Sequence, residues 1–140
     1  MAWNLKNGKN NRIKMKTKFS KSWKSSKSQR KQRKFIANAP LHIKSKFLSS
    51  HLSKDLRQKH GKRSITLRKG DKVKILRGNF KGKTGKIDKL DLKNIKVYIT
   101  GIEIIKKDGT KIPKPVHPSS LIVTELNLDD KKRLKRAKGK

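Results

Sequence analysis

No acidic residue occurs before Asp55. The first 54 residues hold 16 Lys and Arg and no Asp or Glu, a net of +16. Residues 55–128 are milder, with 19 basic and 7 acidic residues, and residues 129–140 carry 7 basic and 2 acidic ones. The whole chain reaches +33 over 140 residues. Self-repulsion at this density opposes a compact state unless a polyanion screens it. Apolar residues make up only 31%, too little for a core that organises the entire length. The chain therefore reads as one small domain of roughly 60–80 residues with charged extensions. Its expected partner is a polyanion, nucleic acid before anionic membrane.

Several classes fall away. There are no cysteines, so disulfide scaffolds, zinc fingers and thiol nucleophiles are excluded. Apolar runs such as Leu121–Val123 are too short for a membrane helix, and no signal-peptide core is readable near Met1. His42, His51 and His60 are nine apart, so they alternate faces and predict no zinc site. The serines lie mostly in aperiodic, lysine-rich sequence that would not preorganise a triad. The reading is of a protein that is not an enzyme, with no cofactor and no metal.

The arm from Met1 to Lys34 lacks helical or strand periodicity, which predicts disorder in isolation. Trp3, Phe19 and Trp23 are interleaved with its lysines, a pattern that suits either base stacking beside phosphate contacts or packing on neighbouring protein. Asn38 is expected to cap a helix carrying Pro40 in its first turn. Ser53 is expected to cap a second short helix that ends at Gly61. From Ser64 the pattern is β. Lys72–Ile75, Ile95–Ile99, Ile102–Ile104 and Leu121–Val123 alternate or are β-branched, with turn residues between them. Five or so short strands predict a small barrel. Ile87 and Leu90 are out of phase, and a bulge near Asp88 would restore it. The expected core is Val73, Ile75, Ile87, Leu90, Ile95, Val97, Ile99, Ile104 and Val123. Asp129 and Asp130 ahead of a basic run suit a short terminal helix, frayed when free. The predicted layout is an arm over 1–37, two short helices within 38–63, a barrel over 64–127 and a basic tail over 128–140.

Gly78–Thr84 superficially resembles a phosphate-binding P-loop. It has three residues where that loop needs four, and a strand pattern follows where a helix is required. A strand–loop–strand turn fits better. Gly78 and Gly82 supply backbone freedom, and Arg77, Lys81, Lys83 and Lys86 surround the turn with positive charge. Gly85 is expected to sit at a tight strand entry, where a Cβ would clash if φ is positive. Phe80 either packs beneath the loop or stacks on a base. Asp88 and Asp91 read as surface partners of nearby lysines.

Arg68–Ile75 followed by Arg77–Ile87 resembles a KOW motif, the strand–loop–strand unit of SH3-like barrels in ribosomal proteins and transcription elongation factors. The flanks point to the ribosomal class. Gln32-Arg33-Lys34, Ala39–Ile43, Leu52–Arg57, His117–Ser120 and Leu126–Lys131 are similar to the archaeal and eukaryotic form of large-subunit ribosomal protein twenty-four, called twenty-six in eukaryotes. The resemblance runs from about Phe19 to Arg133 and leaves the first 18 residues outside. It implies a mainly β fold, an SH3-like barrel with the basic arm, two short helices and basic tail as extensions. It also implies a structural constituent of the large ribosomal subunit in the cytoplasm, binding the 5′ domain of the large rRNA near the nascent-peptide exit and supporting assembly. The implied partners are that rRNA, neighbouring large-subunit proteins and factors near the peptide exit, with neither a membrane nor a homo-oligomer. A KOW elongation factor is the alternative, although no polymerase-binding domain is readable. A histone-like protein would need longer helices. Taken with the charge pattern, the expected rRNA contacts are Lys21, Lys24, Arg30, Lys31, Arg33, Lys34, His42, Lys44, Lys46, Arg57, Arg63, Arg68, Lys69, Arg77, Gly78, Asn79, Phe80, Lys81, Gly82, Lys83, Lys86 and His117.

Overall fold

A computed structural model describes residues 19–20, 23, 25–130 and 132–137. They fall into two compact units, divided between Ala39 and Pro40.

The first unit carries α1 (Gln29–Asn38). This corrects the expectation of an arm without regular structure up to Lys34. The helix buries no residue, so no apolar stripe announces it. Its residues from Gln29 to Lys34 are straight-chain types that lose little rotamer freedom in a helix. Asn38 is its last residue, not the cap of the next helix. Ala39 leaves the helix in an extended conformation (ψ 133°), as a residue before proline tends to.

The second unit begins with α2 (Leu41–Phe47), whose N-cap is Pro40. Strand β1 (Ser49–Leu52) follows, then α3 (Lys54–His60). The Ser53 side chain accepts from the Leu56 N–H, and Gly61 closes the helix at φ 61° by donating to the Arg57 carbonyl, as the capping residues predicted. Beyond them lie β2 (Ser64–Thr66), β3 (Lys72–Ile75), β4 (Thr84–Asp91), β5 (Lys96–Ile99), β6 (Glu103–Ile105), β7 (Lys111–Pro113), β8 (Leu121–Glu125) and α4 (Lys132–Ala137).

Six strands form one sheet in the order β2-β1-β8-β3-β4-β5, and β6-β7 is a separate hairpin. Strand β1 was not foreseen. It runs parallel to β8 and antiparallel to β2. Val97 on β5 bridges Val116, just ahead of β8. Because β8 is itself bonded to β3, this bridge curls the sheet back on itself into a small barrel. The mainly β, barrel-like fold with short flanking helices is as expected. Around Asp88 the β4–β5 register jumps from Ile87↔Ile99 to Lys89↔Tyr98. That is the predicted bulge, and it brings Leu90 opposite Val97.

Among the described residues thirteen buried apolar ones make the core, from Leu48, Leu52, Ile65 and Leu67 through to Leu121 and Val123. Of the expected members, Leu90 packs against this core only partly buried. Ile104 is a correction: it is 46% exposed, whereas Ile102 is 1% exposed. The backbone N–H of Ile102 bonds back to the Ile99 carbonyl, so Ile102 still belongs to the barrel. Ile104 lies on the hairpin, all of whose strand residues are exposed. Ile95 is buried but is not part of β5. It ends the β4–β5 turn at φ 55°, a rare conformation for a β-branched residue. No helix of the described residues is long and apolar enough to cross a membrane.

Candidate nucleic-acid interface

The turn between β3 and β4 is fixed from both ends. The Gly82 N–H donates to the Ile75 carbonyl (2.8 Å) and the Ile75 N–H to the Lys83 carbonyl (2.9 Å). Gly78 and Gly82 sit at φ 91° and 88°, where a Cβ is strained. Arg77, Asn79, Lys81, Lys83 and Lys86 are exposed around it. None of the four cations enters an ion pair among the described residues. Phe80 is half-buried against the core, with the Lys83 and Lys114 ammonium groups 5.1 and 5.2 Å from its ring centroid. Its ring packs beneath the loop and carries cations, an arrangement worth up to about 1 kcal/mol at an exposed site.

Gly85 sits where tight packing was foreseen, but for a different reason. Its φ is not positive. A Cβ there would lie 2.6 Å from Ile99 Cγ2 and 2.6 Å from the Thr100 carbonyl oxygen.

The other expected contact residues are dispersed. Arg30, Lys31, Arg33 and Lys34 are exposed on α1. His42 and Lys46 are exposed on α2, while Lys44 donates to the Lys93 carbonyl at 3.1 Å. Arg57 is half-buried and donates through Nε to the Leu52 carbonyl (2.8 Å). Arg63 is exposed between α3 and β2. Arg68 pairs with Asp130 at 2.8 Å, and Lys69 lies 3.5 Å from Asp88. Lys21 and Lys24, like Trp3, lie outside the described residues. Trp23 stacks on Phe35 at 4.4 Å, and Phe19 lies 4.9 Å from the same ring. His42, His51 and His60 fall on α2, β1 and α3.

His117, expected as an rRNA contact, is a hydrogen-bonded turn histidine. Its Nδ1 accepts from the Ser119 N–H (3.3 Å) and lies 2.8 Å from Ser119 Oγ, capping the single 3-10 turn Pro118–Ser120. Partial burial, and secondarily the charge of Lys96, holds its pKa below the usual histidine value. A folded pKa below the unfolded one means that the neutral ring stabilises the fold. That contribution is complete above the unfolded value and is lost as pH falls through the folded one. The stability advantage of wild type over His117→Asn should therefore shrink between about pH 8 and about pH 5. Urea midpoints of the two proteins across that range check it; a constant difference contradicts it. Asp91 is likewise held low, first by hydrogen bonds from the Asn94 backbone and side chain and only last by the charge of Lys89. The turn is thus its main partner, ahead of any lysine.

The strongest polar feature escaped the sequence. Asp71 is fully buried, and both carboxylate oxygens accept from the Arg133 guanidinium at 2.6 Å. Arg133 also donates to the Asn127 and Thr66 carbonyls. The basic tail thus docks through α4 onto the barrel, where a tail frayed in the free protein was expected. Asp130 accepts from the Lys132 N–H at the start of α4 (2.8 Å), as its place ahead of the basic run predicted. Residues 71 and 133 are 62 apart, and no local pattern links them.

A family described as the ribosomal proteins L26 of eukaryotes and their archaeal L24 counterparts matches residues 26–140. The large ribosomal subunit protein uL24 of Methanosphaera stadtmanae is 48% identical over 108 residues, covering 77% of this chain and 92% of the relative. The protein of the same name from Methanocorpusculum labreanum is 47% identical over 116 residues, covering 83% and 96%. With a match that takes in α1, the whole barrel and the docked tail, this chain belongs to the family of eukaryotic L26 and archaeal L24 ribosomal proteins.

Proposed function

We propose that the protein binds the 5′ domain of the large rRNA near the nascent-peptide exit and supports assembly of the large subunit. As a ribosomal protein of this family it is a structural constituent of the cytoplasmic large subunit and not an enzyme. The observation that carries the finer reading is the β3–β4 turn. It is a backbone-fixed loop whose four surrounding cations, Arg77, Lys81, Lys83 and Lys86, have no acidic partner among the described residues. Such a loop can lay its glycines against a sugar-phosphate chain while the cations displace counterions. Exposed Arg30, Lys31, Arg33 and Lys34 on α1 extend the same chemistry. Base-specific contacts are few in this reading, because A-form RNA is recognised mainly by shape and backbone.

If about ten phosphates are contacted, log K for the rRNA should fall with log salt at a slope of about −7 to −9. A slope near about −2 contradicts phosphate neutralisation. Sedimentation of the native protein with large-subunit particles through a high-salt wash separates this reading from an elongation factor or a chromatin protein.

A further inference from the structure

Within the first unit, Phe19, Trp23, Lys31, Lys34, Phe35 and Asn38 line an open cavity of about 460 Å³. Its volume lies in the range of small-molecule sites. The α1 residues that line it stand at i, i+3, i+4 and i+7 from Lys31, one face of the helix. Exposed Lys31 and Lys34 flank the half-buried Phe35 on that face, so charge rims an aromatic wall. Ile36, the one aliphatic residue of α1 larger than alanine, is 42% exposed. The cavity face offers two ammonium groups, an amide and an aromatic ring. Phe19 and Trp23 both contact the Phe35 ring, Trp23 stacked on it and Phe19 tilted by 36°, so three rings cluster at the cavity wall.

We infer that this cavity takes one unpaired ribonucleotide, its base stacking on the ring cluster of Phe19, Trp23 and Phe35 and its phosphate lying on Lys31 and Lys34. The inference rests on the rRNA-binding reading above and adds a stacking site to it. An aliphatic or purely aromatic ligand leaves the two ammonium groups unused, and a phosphate alone leaves the rings unused. A nucleotide of a loop or bulge satisfies both. Asn38 supplies a donor and an acceptor for a base edge.

The test uses the complete chain carrying Trp3→Phe, so that Trp23 is its only indole. A short oligoadenylate single strand should quench Trp23 emission, and a duplex RNA of equal length should not. In the same background Trp23→Leu should weaken binding to the oligoadenylate and to a 5′-domain rRNA transcript roughly tenfold, with an unchanged salt slope, because a stack carries no charge. Lys31→Ala with Lys34→Ala should instead lower the slope by about 1–2. Circular dichroism reports whether α1 survives each change; the emission of Trp23 decides the matter even where it does not. Unchanged emission with oligoadenylate, or equal quenching by duplex, overturns the inference. Steep salt-dependent rRNA binding without quenching leaves the rRNA reading standing and removes the cavity from it. Quenching by oligoadenylate without rRNA binding keeps the cavity and sinks the rRNA reading.

Discussion

Replacing Asp71 with alanine is expected to cost about 3–5 kcal/mol of stability, the range for breaking a buried ion pair from one side. The side chains of Asp71 and Arg133 are 0% and 3% exposed, and the closest contact between them is 2.6 Å. The carboxylate also accepts from the Arg68 and Asn127 N–H groups. Its removal therefore strands a buried guanidinium and two backbone donors at once. Arg133 Nε already lacks a hydrogen-bond partner, so the guanidinium would keep only the neutral Asn127 and Thr66 carbonyls and no counter-charge. Urea unfolding of Asp71→Ala, Arg133→Ala and the double variant measures this. The double variant should lose less than the sum of the single losses, with a coupling of about 0.5–3 kcal/mol. A cost below about 1 kcal/mol for Asp71→Ala would match an exposed pair, and α4 would then be frayed in solution.

The turn between β3 and β4 should separate into a fold role and a charge role. At Gly85 a Cβ meets both a side-chain carbon and a carbonyl oxygen at 2.6 Å. Gly85→Ala should cost about 1–3 kcal/mol by overpacking, and Gly85→Val more. Lys81→Ala with Lys83→Ala should leave the melting temperature nearly unchanged. Lys81 is exposed, and Lys114 still covers the Phe80 ring when Lys83 is gone. The same double variant should weaken rRNA binding by a similar factor across unrelated RNA sequences and lower the salt slope by about 1–2. Wild-type rRNA affinity in the double lysine variant would reduce this turn to a barrel corner.

Local chemistry was legible in the sequence. The phase error between Ile87 and Leu90 located the bulge at Asp88. Ser53 and Gly61 marked both ends of α3. What stayed hidden was non-local or polar. Strand β1 reads Ser-Ser-His-Leu, and its inward Ser50 is buried because its hydroxyl donates to the Leu121 carbonyl. A serine in a core position erases the alternation that betrays a strand. Ile104 alternates as well as any core residue, yet its hairpin leaves the barrel. Helix α1 has no apolar stripe to detect. Of the expected contact residues, the cations of the β3–β4 turn lie together in sequence and are exposed around one loop. Arg57, Arg68 and Lys44 also hold protein groups, which charge alone does not reveal.

The distance along the chain between Asp71 and Arg133 also bears on how the molecule is made. Strand β1 waits for β8, and the buried carboxylate waits for a residue near the far end. At about 5–20 residues per second of synthesis, the anion waits several seconds between the making of Asp71 and of Arg133, and up to about two seconds after β8 is complete. Long-range closure of this kind is intrinsically slow. A copy that stops short of α4 keeps the unsatisfied carboxylate, opens readily and is exposed to proteolysis. Full stability of the barrel is thereby conditional on translation having run through Arg133.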